Sequence, residues 1–132
     1  MERKDPIKEA WRYVENAKKL LSEAEYDPET KIYNDSKYIR MAGDTLWKGC
    51  LIALEAVFNV RKNAKKYQRI RINDYKEAVS KRDQKLLTFV NCGYDTMHLC
   101  MGYDGNKNKK VCEAGFENAS TIIRRCETMY RA

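Results

Sequence analysis

Residues 35–60 read DSKYIRMAGDTLWKGCLIALEAVFNV, and this stretch decides the fold. Asp35-Ser36 is a helix start signal, because short polar side chains there accept the first unpaired backbone N–H groups. Behind it the apolar or small residues are Tyr38, Ile39, Ala42, Leu46, Gly49, Cys50, Ala53, Ala56, Val57 and Val60, a helical stripe with few interruptions. This is the most buried-looking segment of the chain. Gly49 and Ala53, four apart beside Ala42 and Ala56, form a small-residue strip that admits a close neighbouring helix. Such an approach offsets the roughly 1 kcal/mol that glycine costs a helix relative to alanine.

Working outward, Asp5 and Pro6 supply an N-cap and a first-turn proline to an earlier helix, whose face carries Ile7, Ala10, Trp11, Val14, Ala17, Leu21 and Ala24. Pro28 stops it, and residues 26–34 read as a polar connection. On the other side, residues 61–71 read RKNAKKYQRIR, where the apolar face fades into a charged connection. Asn73-Asp74 then opens a third segment with Tyr75, Ala78, Val79, Leu86, Phe89, Val90, Gly93, Met97, Cys100 and Met101 in one register, which predicts one long helix with a bend at Gly93. The turn cluster at residues 102–106 follows. A last segment places Val111, Cys112, Gly115, Phe116, Ala119, Ile122, Ile123, Cys126, Met129 and Tyr130 on its apolar face. No strand is expected, since Ile70 and Ile72 make only a short alternation.

Four amphipathic segments joined by short connections predict an all-α chain, an antiparallel up-down-up-down four-helix bundle forming a single domain over residues 1–132. A length of 132 residues, 43% hydrophobic and 34% charged, suffices for a core of its own. The N-terminus has no apolar run behind its charges, and the longest mostly apolar stretch, residues 50–60, is far short of the roughly 20 residues a bilayer span needs. A cytoplasmic protein with no membrane segment is therefore expected. Cys50, Cys92, Cys100, Cys112 and Cys126 are odd in number and without close metal-ligand spacing, so they are expected to pack as small apolar residues, with neither a disulfide framework nor a metal site.

In an alternating bundle the N-terminus, the second connection and the C-terminus share one pole. That pole would collect Arg3, Lys4, Arg61, Lys62, Lys65, Lys66, Arg69, Arg71, Arg124, Arg125 and Arg131, and with them much of the net charge of +7. The candidate nucleic-acid-binding residues are accordingly Arg61, Lys62, Lys65, Lys66, Tyr67, Arg69 and Arg71, the cations for phosphates and the tyrosine for stacking. Catalytic chemistry finds no support. There is no phosphate-cradling glycine loop and no His-Glu-x-x-His, and the single histidine, His98, has Asp95 rather than glutamate three residues before it. No cofactor is expected. The cysteines nearest His98, Cys92 and Cys100, fall outside its helical neighbours at 94, 95, 101 and 102.

The stretches 10–17 (AWRYVENA), 47–56 (WKGCLIALEA) and 99–105 (LCMGYDG) together resemble HEPN-type helical bundles, and more closely an uncharacterised family of small bacterial helical proteins related to them. HEPN ribonucleases use an arginine followed after four to six residues by a histidine. Here the positions five to seven before His98 are Gly93, Cys92 and Asn91, so no catalytic residue carries over. Other relatives accompany nucleotidyltransferases as partner or substrate-binding modules, and the resemblance implies a binding role more than an enzymatic one. The reading from sequence is a non-enzymatic interaction module with an unknown protein partner or RNA, and with a homodimer through an exposed apolar strip as a further form. Nucleic-acid binding through the basic pole is the alternative, and a degenerate HEPN-type ribonuclease dependent on His98 is the last.

Overall fold

The computed structural model describes residues 5–132, so Arg3 and Lys4 of the expected basic pole lie outside the described residues. The chain is mostly helical: α1 Pro6–Ser22, α2 Ser36–Phe58, a single turn α3 Val60–Asn63, α4 Ile72–Ser80, α5 Gln84–Gly93 and α6 Lys109–Arg131. Tyr94–Tyr103 continue α5 with wider π-helical turns, closed by the Asp104 N–H donating to the Leu99 carbonyl five residues back at 2.8 Å.

The first two helix starts follow the expected caps, but the third does not: α4 begins at Ile72, ahead of the expected Asn73-Asp74 cap, with Arg71 at the N-cap and the Asp74 carboxylate, already inside the helix, accepting the Arg71 N–H. The Asp5 carboxylate accepts the Ile7 N–H at 2.9 Å, and that of Asp35 accepts the Lys37 N–H at 3.0 Å. From there α2 is the central element, burying Ile39, Ala42, Gly43, Leu46, Trp47, Gly49, Cys50, Ala53, Leu54 and Phe58. Burial on that many positions means neighbours on several sides. A Cβ added at Gly49 would stand 3.0 Å from both the Ala10 carbonyl oxygen and the Tyr13 Cβ, so the small-residue strip does admit α1. Gly43 is tighter: its missing Cβ would meet the Met101 Cβ at 2.5 Å and the Met97 carbonyl oxygen at 2.6 Å. Close approach there brings the π-helical segment against α2. On the far side, Gly115 of α6 faces the Met101 sulfur, and Ile122 reaches Gly93.

Three further expectations need correcting. The connection after α1 holds a small antiparallel hairpin, β1 Tyr26–Asp27 and β2 Ile32–Tyr33, with Tyr26 opposite Tyr33 and Asp27 opposite Ile32. Two-residue strands carry too little alternation to be read from sequence. This hairpin is held by an Asx turn, in which the Asp27 carboxylate accepts the Glu29 N–H at 3.0 Å, and by the Tyr33 N–H donating to the Lys107 carbonyl at 2.9 Å. Helix α1 accordingly ends at Ser22, before Pro28 is reached.

The expected long third helix is also broken, at residues 81–83, between α4 and α5. Asp83 stops the ladder by leaving helical backbone geometry and capping α5 through the Leu86 N–H at 3.0 Å. Its carboxylate is simultaneously gripped by Arg125 of α6, Nε to Oδ2 at 2.7 Å and Nη2 to Oδ1 at 2.9 Å. At Gly93 the backbone stays helical, and what changes is the turn width that follows. Finally, α2 ends at Phe58 and not Val60, because Asn59 adopts the left-handed conformation (φ 53°, ψ 35°) and α3 starts beyond it.

Candidate nucleic-acid interface

Eleven residues, 61–71, hold six Lys and Arg and no acid, so they contain nearly all of the chain's surplus of +7. Among the described residues, none of these six side chains forms a salt bridge. Arg61, Lys62, Lys65, Lys66, Arg69 and Arg71 are all exposed, as is Tyr67 at 86% of its surface.

The stretch is held in shape from the α2 side. Glu55 interrupts the apolar run of α2, and its carboxylate accepts the Arg61 N–H at 2.7 Å, the Lys62 N–H at 3.2 Å and the Tyr75 hydroxyl at 3.0 Å. One side chain therefore caps α3 and ties it to α4. Burial first, and then the adjacent Glu55 carboxylate, push the Tyr75 phenol well above its ordinary value, so Tyr75 stays a proton donor. Farther along, the Arg61 guanidinium donates to the Gln68 carbonyl, the Lys65 N–H donates to the Gln68 Oε1 at 3.1 Å, and the Gln68 N–H donates back to the Lys65 carbonyl at 3.0 Å. Tyr67 occupies the tip of this turn at φ 68°, an uncommon backbone conformation for an aromatic residue, with the Lys66 ammonium 5.2 Å from its ring centre. The Arg71 N–H closes the loop onto the Asp74 carboxylate at 2.7 Å, which starts α4.

A groove of about 530 Å³ opens beside this loop, bounded by Arg61 and Lys62, by Pro6 at the start of α1 and by Tyr130 near the end of α6. The N-terminus of α1, the second connection and the C-terminus of α6 thus share one end, as expected. Two of the expected cations are spent there on structure. Arg125 is bound to Asp83, and Arg131 donates to Asp5 at 2.8 Å and to Glu127 at 3.3 Å. These guanidiniums hold the carboxyls of Asp83 and Asp5 below the usual carboxylate range. Arg124 remains exposed. Sequence periodicity had no means of separating the engaged arginines from the free cations.

His98 lies on the π-helical segment with its ring 5.1 Å from Tyr94 and 6.4 Å from Trp47, centre to centre. It is part of an aromatic stack, and among the described residues no carboxylate hydrogen-bonds to it. Cys50, Cys112 and Cys126 are buried as small apolar residues, with burial raising the Cys112 thiol to about 11 and that of Cys126 to about 12. Cys92 departs from that expectation and is exposed. The large exposed apolar residues Ile32, Met41, Tyr67, Tyr103 and Tyr130 belong to different elements of the chain.

A second groove, about 500 Å³ and mostly apolar, lies between Leu21 of α1, the Tyr26–Tyr33 pair of the hairpin and Phe116 of α6. Its charged rim residues pair with their own helical neighbours, Lys18 with Glu15 at 3.1 Å and Glu113 with Lys109 at 3.7 Å. The groove beside residues 61–71 combines apolar surface with two cations, Arg61 and Lys62, that form no salt bridge among the described residues.

Fold and site define a mostly helical protein with one concentrated cationic loop, and no described helix is long and apolar enough to cross a membrane. The chain belongs to the family described as domain of unknown function DUF5618, whose model matches residues 5–128. Among solved structures it is similar to a protein of unknown function from Dyadobacter fermentans, with 33% identity, a TM-score of 0.85, and coverage of 97% of this chain and 98% of that one. No curated protein matches it. Neither description gives evidence of a HEPN relationship.

Proposed function

We propose that this chain is a non-enzymatic binding module that holds nucleic acid, RNA foremost, on the loop of residues 61–71. The observation that carries the reading is the set of six exposed cations that form no salt bridge among the described residues, on backbone tied down by Glu55. A loop so ordered loses less conformational entropy on binding than a free one, and its cations gain from releasing counterions along a phosphate backbone. Tyr67 adds an exposed ring at the tip for stacking.

The same reading takes residues 1–132 as one cytoplasmic domain with an up-down-up-down four-helix architecture. Support for that architecture comes from paired positions: Gly49 with Ala10, Gly43 with Met101, Gly93 with Ile122 and Asp5 with Arg131, each joining the start of one helix to the later part of another or two midpoints. HEPN likeness enters as architecture alone, without its arginine-histidine pair.

The test is binding to short RNA and DNA at two salt concentrations. If four loop cations each meet a phosphate, affinity for a single strand falls about fifty-fold between about 50 and 200 mM salt. A variant with Lys62, Lys65, Lys66 and Arg69 changed to glutamine should fold and lose the binding. Absence of binding at low salt would overturn the reading and redirect the search to an acidic protein surface.

A further inference from the structure

We infer that the groove beside the basic loop is a pocket for an unpaired nucleobase, so that the protein selects single-stranded over duplex nucleic acid. The inference rests on the nucleic-acid reading above and assigns the part of the ligand that the loop does not hold.

Leu51, Ile52 and Ala56 present half-buried apolar surface from α2 as the groove floor. Apolar surface left open directly beside unneutralised cations suits a ligand that is flat and apolar in one part and anionic in the next, which is the chemistry of a nucleotide. Arg61 and Lys62 stand at the rim, where a phosphate attached to a base on the floor would lie. Tyr130, 42% exposed, forms a wall with an aromatic ring available for stacking. Asn59 also lines the groove, and among the described residues its carboxamide has no hydrogen-bond partner, leaving a donor and an acceptor for a base edge. The one acid in the wall, Glu55, accepts the backbone N–H groups of Arg61 and Lys62 and the Tyr75 hydroxyl, so its carboxylate oxygens are occupied by donors of the protein itself. The volume of about 530 Å³ falls within the ~300–1,000 Å³ usual for small-ligand sites. A base inside a duplex has both faces stacked and its edge paired, and it cannot enter such a groove without being extruded.

The experiment measures fluorescence anisotropy with one short labelled RNA, as a single strand and as its duplex, at about 50 mM salt. It uses the full chain, Tyr130→Ala, Asn59→Gly and the four-glutamine loop variant, each checked for fold by circular dichroism. Asn59→Gly keeps the left-handed backbone at that position while deleting the amide. Wild type should prefer the single strand about tenfold, Tyr130→Ala should remove most of that preference, and duplex affinity should be unchanged. Asn59→Gly should weaken the single strand about fivefold, and it carries the test if Tyr130→Ala does not fold. A single-stranded DNA of the same sequence separates recognition of base and phosphate, common to both strands, from any contribution of the RNA hydroxyl; preference for either strand over its duplex supports the pocket. Equal affinity of wild type for strand and duplex, unmoved by both groove variants, would overturn the pocket and leave the loop reading standing. Failure of both RNAs to bind would sink the two together.

Discussion

Replacing Glu55 by alanine separates two physical roles that the structure assigns to one carboxylate. It accepts two backbone N–H groups at the start of α3 and the half-buried Tyr75 hydroxyl. Losing a cap costs about 1 kcal/mol, and leaving the Tyr75 hydroxyl without its acceptor costs about 1 kcal/mol more. Alanine's higher helix propensity returns a few tenths, so the net loss is about 1.5 to 2 kcal/mol, roughly 6 °C in Tm for a chain of this size. Thermal denaturation followed by circular dichroism checks that figure. RNA affinity gives the second measurement, and there the two roles have opposite signs. Removing an acid about 8 Å from a bound phosphate would tighten binding by about 0.5 kcal/mol through Coulomb's law in water, close to twofold. Releasing the loop means that residues now held by Glu55 must be ordered on binding, at about 1 kcal/mol or more each. The expected outcome is therefore binding weakened about fivefold despite the gain in positive charge. Unchanged Tm would refute the clamp, and tighter binding would show that Glu55 acts on RNA as a charge and not by ordering the loop.

Gly43→Ala tests the closest helix approach: with backbone and Met101 Cβ at 2.5 to 2.7 Å from the added carbon, α2 and the π-helical segment must separate, at about 3 kcal/mol, read as a lowered urea midpoint. Acid titration tests the Asp83–Arg125 pair. Because Arg125 holds the folded-state pKa of Asp83 below its unfolded value near 3.9, the pair's stabilisation is complete above about pH 4 and is lost as pH falls through the folded value. Asp83→Asn should therefore lower Tm at neutral pH and flatten the decline of Tm in acid, whereas parallel acid curves for wild type and variant would argue against it.

Much of the helical layout was legible because each segment carries an apolar stripe and the first two carry a start signal as well. Asp5-Pro6 and Asp35-Ser36 do open α1 and α2, and the apolar positions Ile39, Ala42, Leu46, Cys50 and Ala53 are buried. The break before Asp83 was hidden because Val79 and Leu86 are seven residues apart, two full turns, so the same face is buried on both sides of it. Six consecutive polar residues, 80–85, were the available signal. Of the candidate site, the run of cations was visible, but the carboxylate that shapes it was visible only as an interruption of an apolar run.

By itself, then, the sequence determined a mostly helical chain, the faces its helices bury, and a cationic stretch between two of them. Those properties arise from local spacing and from charge along the chain. Only the tertiary structure decided which cations remain free. Arg125 meets Asp83 from 42 residues away and Arg131 meets Asp5 from 126, and nothing in the periodicity of either helix encodes those distances. The groove likewise exists only where Pro6, Asn59 and Tyr130, from three separate parts of the chain, come to one place. Hydrophobic periodicity specifies that a face is buried; ion pairing and concavity depend on which other face arrives there.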